Sequence, residues 1–296
     1  MINNIQSTIP KIIIKRNGRL ANNMFQVMLA YELKKRVPSA QIFGISLPEW
    51  GIEFAYSELV QPVLKMQRHN FDLDLAAYLL KSGIVGGILI EGWGMRLKNF
   101  PDADFYRKIF ITDTKAVEVS DKQILLNVRS EDIVTGKYPR YYPLPFSFYE
   151  KIIDITGQQP VFMGQLDDSD YVQALRKKFN GAKFLPNNDP LVDFQTIRNA
   201  RNVAISVSSF AWLASWLSET LESIHFPVAG LFDPLNLETL LMPIDDPRYH
   251  FYDLKFPSIE ERTKVSATDW ALQNNPIKLM TQQESKLRVL SAFTSQ

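Results

Sequence analysis

The strongest constraint on how this chain can fold lies near its start, in Ile12-Ile13-Ile14-Lys15-Arg16-Asn17-Gly18-Arg19-Leu20-Ala21-Asn22-Asn23-Met24-Phe25-Gln26. Three successive β-branched residues read as a buried strand. The Asn and Gly cluster reads as a tight loop, and Asn22 or Asn23 as a helix cap. The helix is expected from about Met24 to Arg36, ending before Pro38, because a residue preceding proline disfavours the α region. Met24, Phe25, Val27, Met28, Leu29, Tyr31 and Leu33 cover most of its surface, which predicts burial on more than one side. Strand, Gly-containing loop and buried helix are the means by which a doubly wound α/β domain turns backbone N–H groups toward an anionic ligand.

The rest of the sequence continues the alternation. Strands are expected at residues 41–45, 84–90, 124–129, 160–164, 184–185 and 203–207, and helices at 73–81, 147–155, 169–179, 193–200 and 211–221. Residues 58–66 form an apolar patch of open type, and a Gly-rich bend follows at 91–94. Pro, Asp and Thr turn signals fill 100–120, which places a domain boundary near residue 118 and divides the chain into 1–118 and 119–296. Prolines between 227 and 257 suggest an irregular closing segment, with a final polar helix after Asn274.

Composition excludes several classes. The 296 residues are 46% apolar and 22% charged, enough to bury a substantial core. A net charge of +1 supplies no long basic face, which argues against a nucleic-acid partner. The chain has no cysteine, hence no disulfide framework and no thiolate metal site, and its three histidines lie far apart in sequence. The opening residues are polar rather than signal-like, and no apolar run is long enough to span a membrane, so a cytoplasmic protein is expected. No P-loop, G-x-G-x-x-G or G-x-S-x-G pattern occurs.

Two further stretches can carry chemistry. Asn127-Val128-Arg129-Ser130-Glu131-Asp132 closes an apolar strand, where open α/β sheets bind ligands. An arginine there can hold a diphosphate through two parallel charge-assisted bonds, with Asp132 steadying the guanidinium, or the two can form an ordinary surface pair. Val203–Leu217 is a β-branched strand running into Ser208-Ser209, either simple helix caps or the mouth of a phosphate site. Trp212 and Trp216, at i and i+4, read as core. Asp167-Asp168-Ser169-Asp170 admits a divalent-metal reading, but fits better as a helix cap.

Three of these stretches together resemble the α-1,2-fucosyltransferases. Gly18-x-Leu20-x-Asn22-x-Met24-Phe25-Gln26 is similar to that family's G-G-L-G-N-Q-M-F-Q loop, departing at Arg19, Ala21 and Asn23. Asn127-x-Arg129-x-x-Asp132 resembles its H-x-R-R-x-D, with Asn127 in place of the His and Ser130 in place of the second Arg. Ser208-Ser209-Phe210-Ala211-Trp212 resembles its S-S-F-S-W segment.

The resemblance implies two facing Rossmann-like domains of the GT-B type, residues 1–118 on the acceptor side and 119–296 binding the nucleotide sugar, with the active site in the cleft between them. It further implies inverting, metal-independent transfer of fucose from GDP-fucose to a glycan hydroxyl. Arg129 would bind the β-phosphate and Asp132 support it, with Asn127, Ser208, Ser209 and Phe210 beside the diphosphate. Asp193 would accept from the guanine N1–H and N2–H₂ edge, and Gly18, Asn22 and Asn23 would reach in from the N-terminal domain. The acceptor is not legible in the sequence: lipopolysaccharide, capsule and protein glycan acceptors all fit, a lipid-linked one bringing peripheral membrane contact. The general base stays open: Glu131 and Asp132 lie near in sequence, and neither is assigned the role. A same-fold transferase with another nucleotide sugar, or a nucleotide-binding protein without turnover, are the alternatives.

Overall fold

A β-branched strand has to be flanked by other strands before its backbone groups are satisfied, and the two large sheets here solve that chiefly with parallel neighbours. The computed structural model describes residues 9–59, 61–135, 138, 140–236 and 238–294. The polar opening, residues 1–8, lies outside the described residues, as do residue 60 of the apolar patch and residues 136, 137 and 139 of the loop after Arg129. Two compact units divide the chain. The first runs to Thr112 and takes in Glu238–Leu241; the second comprises Asp113–Leu237 and Met242–Gln296.

In the first unit, β1 (Lys11–Ile14), α1 (Leu20–Arg36), β2 (Gln41–Phe43), β5 (Val63–Met66), α2 (Leu73–Lys81) and β6 (Gly87–Ile90) build a four-stranded parallel sheet in the order β2-β1-β6-β5. A small antiparallel pair, β3 (Ser46–Leu47) with β4 (Ile52–Glu53), sits between β2 and β5 in sequence. Helix α1 begins at Leu20, a turn before the expected Met24. Its N-cap is Arg19, whose side chain makes no capping bond. Asn23, fully buried, braces the loop from inside the helix instead: its Oδ1 accepts from Asn17 N at 3.3 Å and its Nδ2 donates to Gly18 O at 3.3 Å. Gly18 at φ +88° closes the turn tightly enough for the helix to start two residues later.

The turn signals of 100–120 conceal a helix, α3 (Ala103–Ile109). Asp102 caps it by accepting from Phe105 N at 3.0 Å, so an apparent turn residue is a start signal. Residues 238–241 join this unit through Leu97 N to Leu240 O at 2.8 Å and Leu240 N to Met95 O at 3.0 Å.

The second unit comprises β7 (Gln123–Val128), α4 (Phe146–Thr156), β8 (Gln159–Gly164), α5 (Asp170–Lys178), β9 (Lys183–Phe184), α6 (Pro190–Asn199), β10 (Asn202–Ala204), α7 (Ser209–Trp216), β11 (Ser223–Val228), β12 (Tyr249–Asp253), α8 (Ile259–Arg262), α9 (Ala267–Leu272), β13 (Lys278–Leu279) and α10 (Gln282–Thr294). Its sheet order is β13-β12-β11-β10-β7-β8-β9, parallel except for β13. Counted from β7, that is the 3-2-1-4-5-6 order of a doubly wound nucleotide-binding sheet, with its topological switch point between β7 and β10.

The expected irregular closing segment therefore supplies two strands, β11 and β12. Pro227 hides the first of them. It is tolerated because β10 ends at Ala204, paired with His225, so beyond that point only β12 flanks β11. Trp212 and Trp216 stack at 5.5 Å in the core. Among the described residues no helix is long and apolar enough to cross a membrane.

Candidate functional site

The switch point of the second sheet is where the candidate residues gather. β7 is buried along almost its whole length and ends at Val128, which delivers Arg129 to the C-terminal edge. From there the Arg129 guanidinium crosses to the loop after β10, donating from Nη1 to Val207 O at 3.3 Å. Val207 immediately precedes Ser208. Tyr141 packs its ring against the guanidinium, 4.2 Å from centroid to Cζ, and Asp132 Oδ2 stands 3.6 Å from Nη2. Asp132 thus pairs electrostatically with the guanidinium, and its Oδ1 is buried with no partner among the described residues. Such an oxygen marks a group that a ligand or ordered water would satisfy.

The loop carrying these residues is pinned to the neighbouring strand. Ser130, fully buried, donates its N–H to Gln165 Oε1 at 3.1 Å and its hydroxyl to Gln165 O at 2.7 Å. Glu131 Oε2 accepts from Gln165 Nε2 at 2.7 Å, and Glu131 N donates to Asp167 Oδ2 at 3.2 Å. Glu131 adopts φ +41°, a conformation that this network holds in place. Gly164 at φ +109° permits the close approach: a Cβ there would stand 2.4 Å from Val128 O.

Ser208 is the N-cap of α7, but its hydroxyl makes no capping bond. The first-turn N–H groups of a helix lack intrahelical partners, so this end presents donors beside the Arg129 guanidinium. Ser209 and Phe210 are half-buried, and Phe210 meets Phe194 edge-on at 5.3 Å. That contact brings the first turn of α6 alongside the first turn of α7. Asp193, in that turn of α6, has its carboxyl pushed up to about 6, chiefly by burial. The bond from Asn188 Nδ2 at 3.3 Å opposes the shift, and the Asp189 charge adds to it. A half-buried carboxylate that accepts little from the protein is equipped to accept from a ligand's paired N–H donors.

Asn127 is placed differently. It is 6% exposed, and its Oδ1 accepts from Ser206 Oγ at 2.5 Å and lies 3.4 Å from Ser206 N. The side chain ties the ends of β7 and β10 together from within. Asp167 is likewise committed, accepting from Glu131 N, Ser169 N and Ser169 Oγ, while Ser169 caps α5.

Gly18, Asn22 and Asn23 belong to the first unit, at the switch point of its own sheet. Gln26 Nε2 donates to Lys15 O at 2.8 Å, Asn17 Nδ2 to Glu91 O at 2.9 Å and Trp93 Nε1 to Asn17 O at 2.9 Å. These bonds lock the loop after β1 to the loop after β6. Asn22 is half-buried and packs under Gly18; Asn23 is turned inward.

Sequence reasoning did not single out Tyr141, Gln165, Ser206 or Val207. The Tyr/Pro-rich loop hinted at the first. The others act through backbone atoms, an amide or, for Ser206, a hydroxyl, none of which leaves a pattern in a sequence.

The two sheets define an α/β protein of two Rossmann-like units, the second with the strand order of a nucleotide-binding domain. Among solved structures, the chain is similar to a variant of Arabidopsis thaliana FUT1 in complex with GDP. That match covers 86% of this chain and 72% of the other at 10% identity, with a TM-score of 0.49. It is also similar to the E. coli heptosyltransferase WaaC with ADP, over 96% of this chain and 98% of the other at 8% identity, with a TM-score of 0.39. No family model and no curated protein matches the chain.

Proposed function

We propose that this chain is a glycosyltransferase that moves fucose from GDP-fucose to a glycan hydroxyl, with inversion at the anomeric carbon and without a metal. The observation that carries the reading is the Arg129 guanidinium. It stands at the switch point of a 3-2-1-4-5-6 sheet, bonded to Val207 O beside the N-terminus of α7. In the proposed reaction the bond from the fucosyl anomeric carbon to the β-phosphate oxygen breaks, and its electron pair stays on the diphosphate. The acceptor oxygen bonds to the same carbon and loses its proton. Arg129 and the α7 donors answer the charge that develops on the leaving group. Asp132 steadies the guanidinium and Asp193 takes the guanine edge. The acceptor is a polysaccharide or lipopolysaccharide precursor, and the setting is the cytoplasm, in keeping with a chain that has no cysteine.

A second reading, nucleotide binding without turnover, draws on Asn127 and Ser130. Both are occupied by structural bonds at positions where the resembled family carries His and Arg.

Thermal unfolding with GDP, UDP and CMP, each with EDTA and with Mn²⁺, tests the proposal. A ligand at about 100 times its Kd stabilises by roughly 2.7 kcal/mol, a shift of several degrees for a chain of this size. A shift with GDP alone, indifferent to EDTA, is expected. A preference for UDP or CMP, or a need for Mn²⁺, overturns the donor assignment. GDP binding with no transfer from GDP-fucose to any glycan acceptor favours the second reading.

A further inference from the structure

The C-terminal edge of the first sheet carries a side-chain group that the donor chemistry does not use. Lys15 and Arg16 follow β1, Gln67 and Arg68 follow β5, and Glu91 and Trp93 follow β6. Glu91 draws the three strand ends together, accepting from Lys15 Nζ at 2.8 Å and from Gln67 Nε2 at 2.7 Å. Those two bonds, Gln67 first, hold its carboxyl below the usual range, so its charge is present and matched by Lys15.

Arg16 and Arg68 are left over. Both are exposed, and neither has an ion-pair partner among the described residues. Arg68 occupies the left-handed region at φ +66°, held there because its backbone O accepts from Trp93 N at 2.8 Å and Gly94 N at 3.2 Å. Gly92 has to be glycine beneath it, since a Cβ would lie 2.3 Å from Arg68 O. The backbone of Arg68 is therefore tied to that of Trp93, so both residues leave the same edge of the sheet. The indole is half-buried, its Nε1 bonded to Asn17 O and one side set against His69 at 5.3 Å. An indole fixed at both its polar atom and one side offers a rigid apolar surface of the kind on which a pyranose ring packs.

We infer that this edge binds the acceptor sugar and that the acceptor is anionic, carrying a carboxylate or phosphate that Arg16 and Arg68 grip while its ring lies on Trp93. The inference rests on the transferase reading and narrows its acceptor. Guanidinium forks suit both oxyanions, each contact being charge-assisted and geometrically specific.

Binding to the full-length protein in the presence of GDP, followed by ligand-observed NMR, tests it. The probes are methyl β-glucuronide and glucose 6-phosphate, each against methyl β-glucoside. At least one anionic probe should bind about tenfold more tightly than the neutral sugar, with the preference collapsing at about 0.5 M NaCl, where the Debye length shrinks to a few ångströms. The double variant Arg16→Ala, Arg68→Gly should abolish the preference while leaving the GDP-induced rise in Tm unchanged. Glycine at position 68 suits the positive φ, so the variant keeps its fold. Equal binding of charged and neutral sugars, or a preference that survives in the double variant, overturns the inference. The GDP shift on the same samples separates the two claims: discrimination lost with the shift intact removes the anionic acceptor, and a missing shift in the unmodified protein removes the GDP donor.

Discussion

Arg129 is held from three directions, by the Val207 carbonyl, the Tyr141 ring and the Asp132 carboxylate. Arg129→Ala should therefore weaken GDP binding at least about tenfold, a loss of roughly 1.4 kcal/mol or more, with the unfolding temperature of the free protein nearly unchanged. Isothermal titration decides it, and an unaltered Kd would take Arg129 out of the site. Asp193 gives a pH signature. Its carboxyl titrates near about 6, and a guanine edge needs it ionised, so GDP affinity should fall as the pH drops below about 6. In Asp193→Asn that dependence should vanish along with part of the affinity. Gly164 answers to backbone geometry alone. A Cβ there meets Val128 O and Asn127 Nδ2, and φ is +109°. Gly164→Ala should cost about 1–3 kcal/mol in urea unfolding, and more if the β7–β8 approach cannot relax.

At the scale of elements, the pairing of β11 with β12 brings together an ionisable cluster that the sequence scatters, with His225 buried and His250 at the surface. His225 and His250 lie opposite each other in register, rings stacked at 5.2 Å, and His225 Nδ1 is 2.8 Å from Tyr252 Oη. Burial, helped by His250, pushes His225 down to about 3, and burial lowers His250 as well. The unfolded chain protonates these rings near the ordinary 6.5, whereas the folded chain resists. Their contribution is thus complete above 6.5 and is lost progressively as pH falls toward about 3. Asp193, whose carboxyl is raised, works in the opposite sense over the upper part of that window. Urea midpoints measured between about pH 7 and 5 should decline, and His225→Gln should flatten much of that slope. A slope as steep in the variant as in the parent would place the acid sensitivity elsewhere.

For the whole molecule, the arrangement predicts which amides respond to which ligand. GDP should slow hydrogen exchange at residues 129–135 and 207–212, the loops of the second sheet's switch point. An anionic sugar added afterwards should extend protection to 15–19 and 67–69, at the edge of the first sheet. Protection confined to the helices around α10 under both ligands would contradict both assignments.

The sequence by itself determined the alternation of strands and helices, because burial writes itself into local apolar runs: α2 spans Leu73–Lys81 and α4 spans Phe146–Thr156, close to where periodicity put them. It also singled out Arg129 and Ser208, since a charged residue at a strand end or a cap at a helix start is a local event; Asp193 entered only through the resemblance of its segment. It did not disclose β11 and β12, where Pro227 looks like a breaker until one sees that β10 has already ended beside it. Nor did it disclose that Asn127 and Asn23 turn inward as braces, because an asparagine beside a glycine or arginine reads the same whether it faces a ligand or the neighbouring backbone. The tertiary structure decided which polar atoms are already bonded. That turns on pairings between segments far apart in sequence, Asn127 with Ser206 and Lys15 with Glu91 among them, and no spacing along a single chain encodes them.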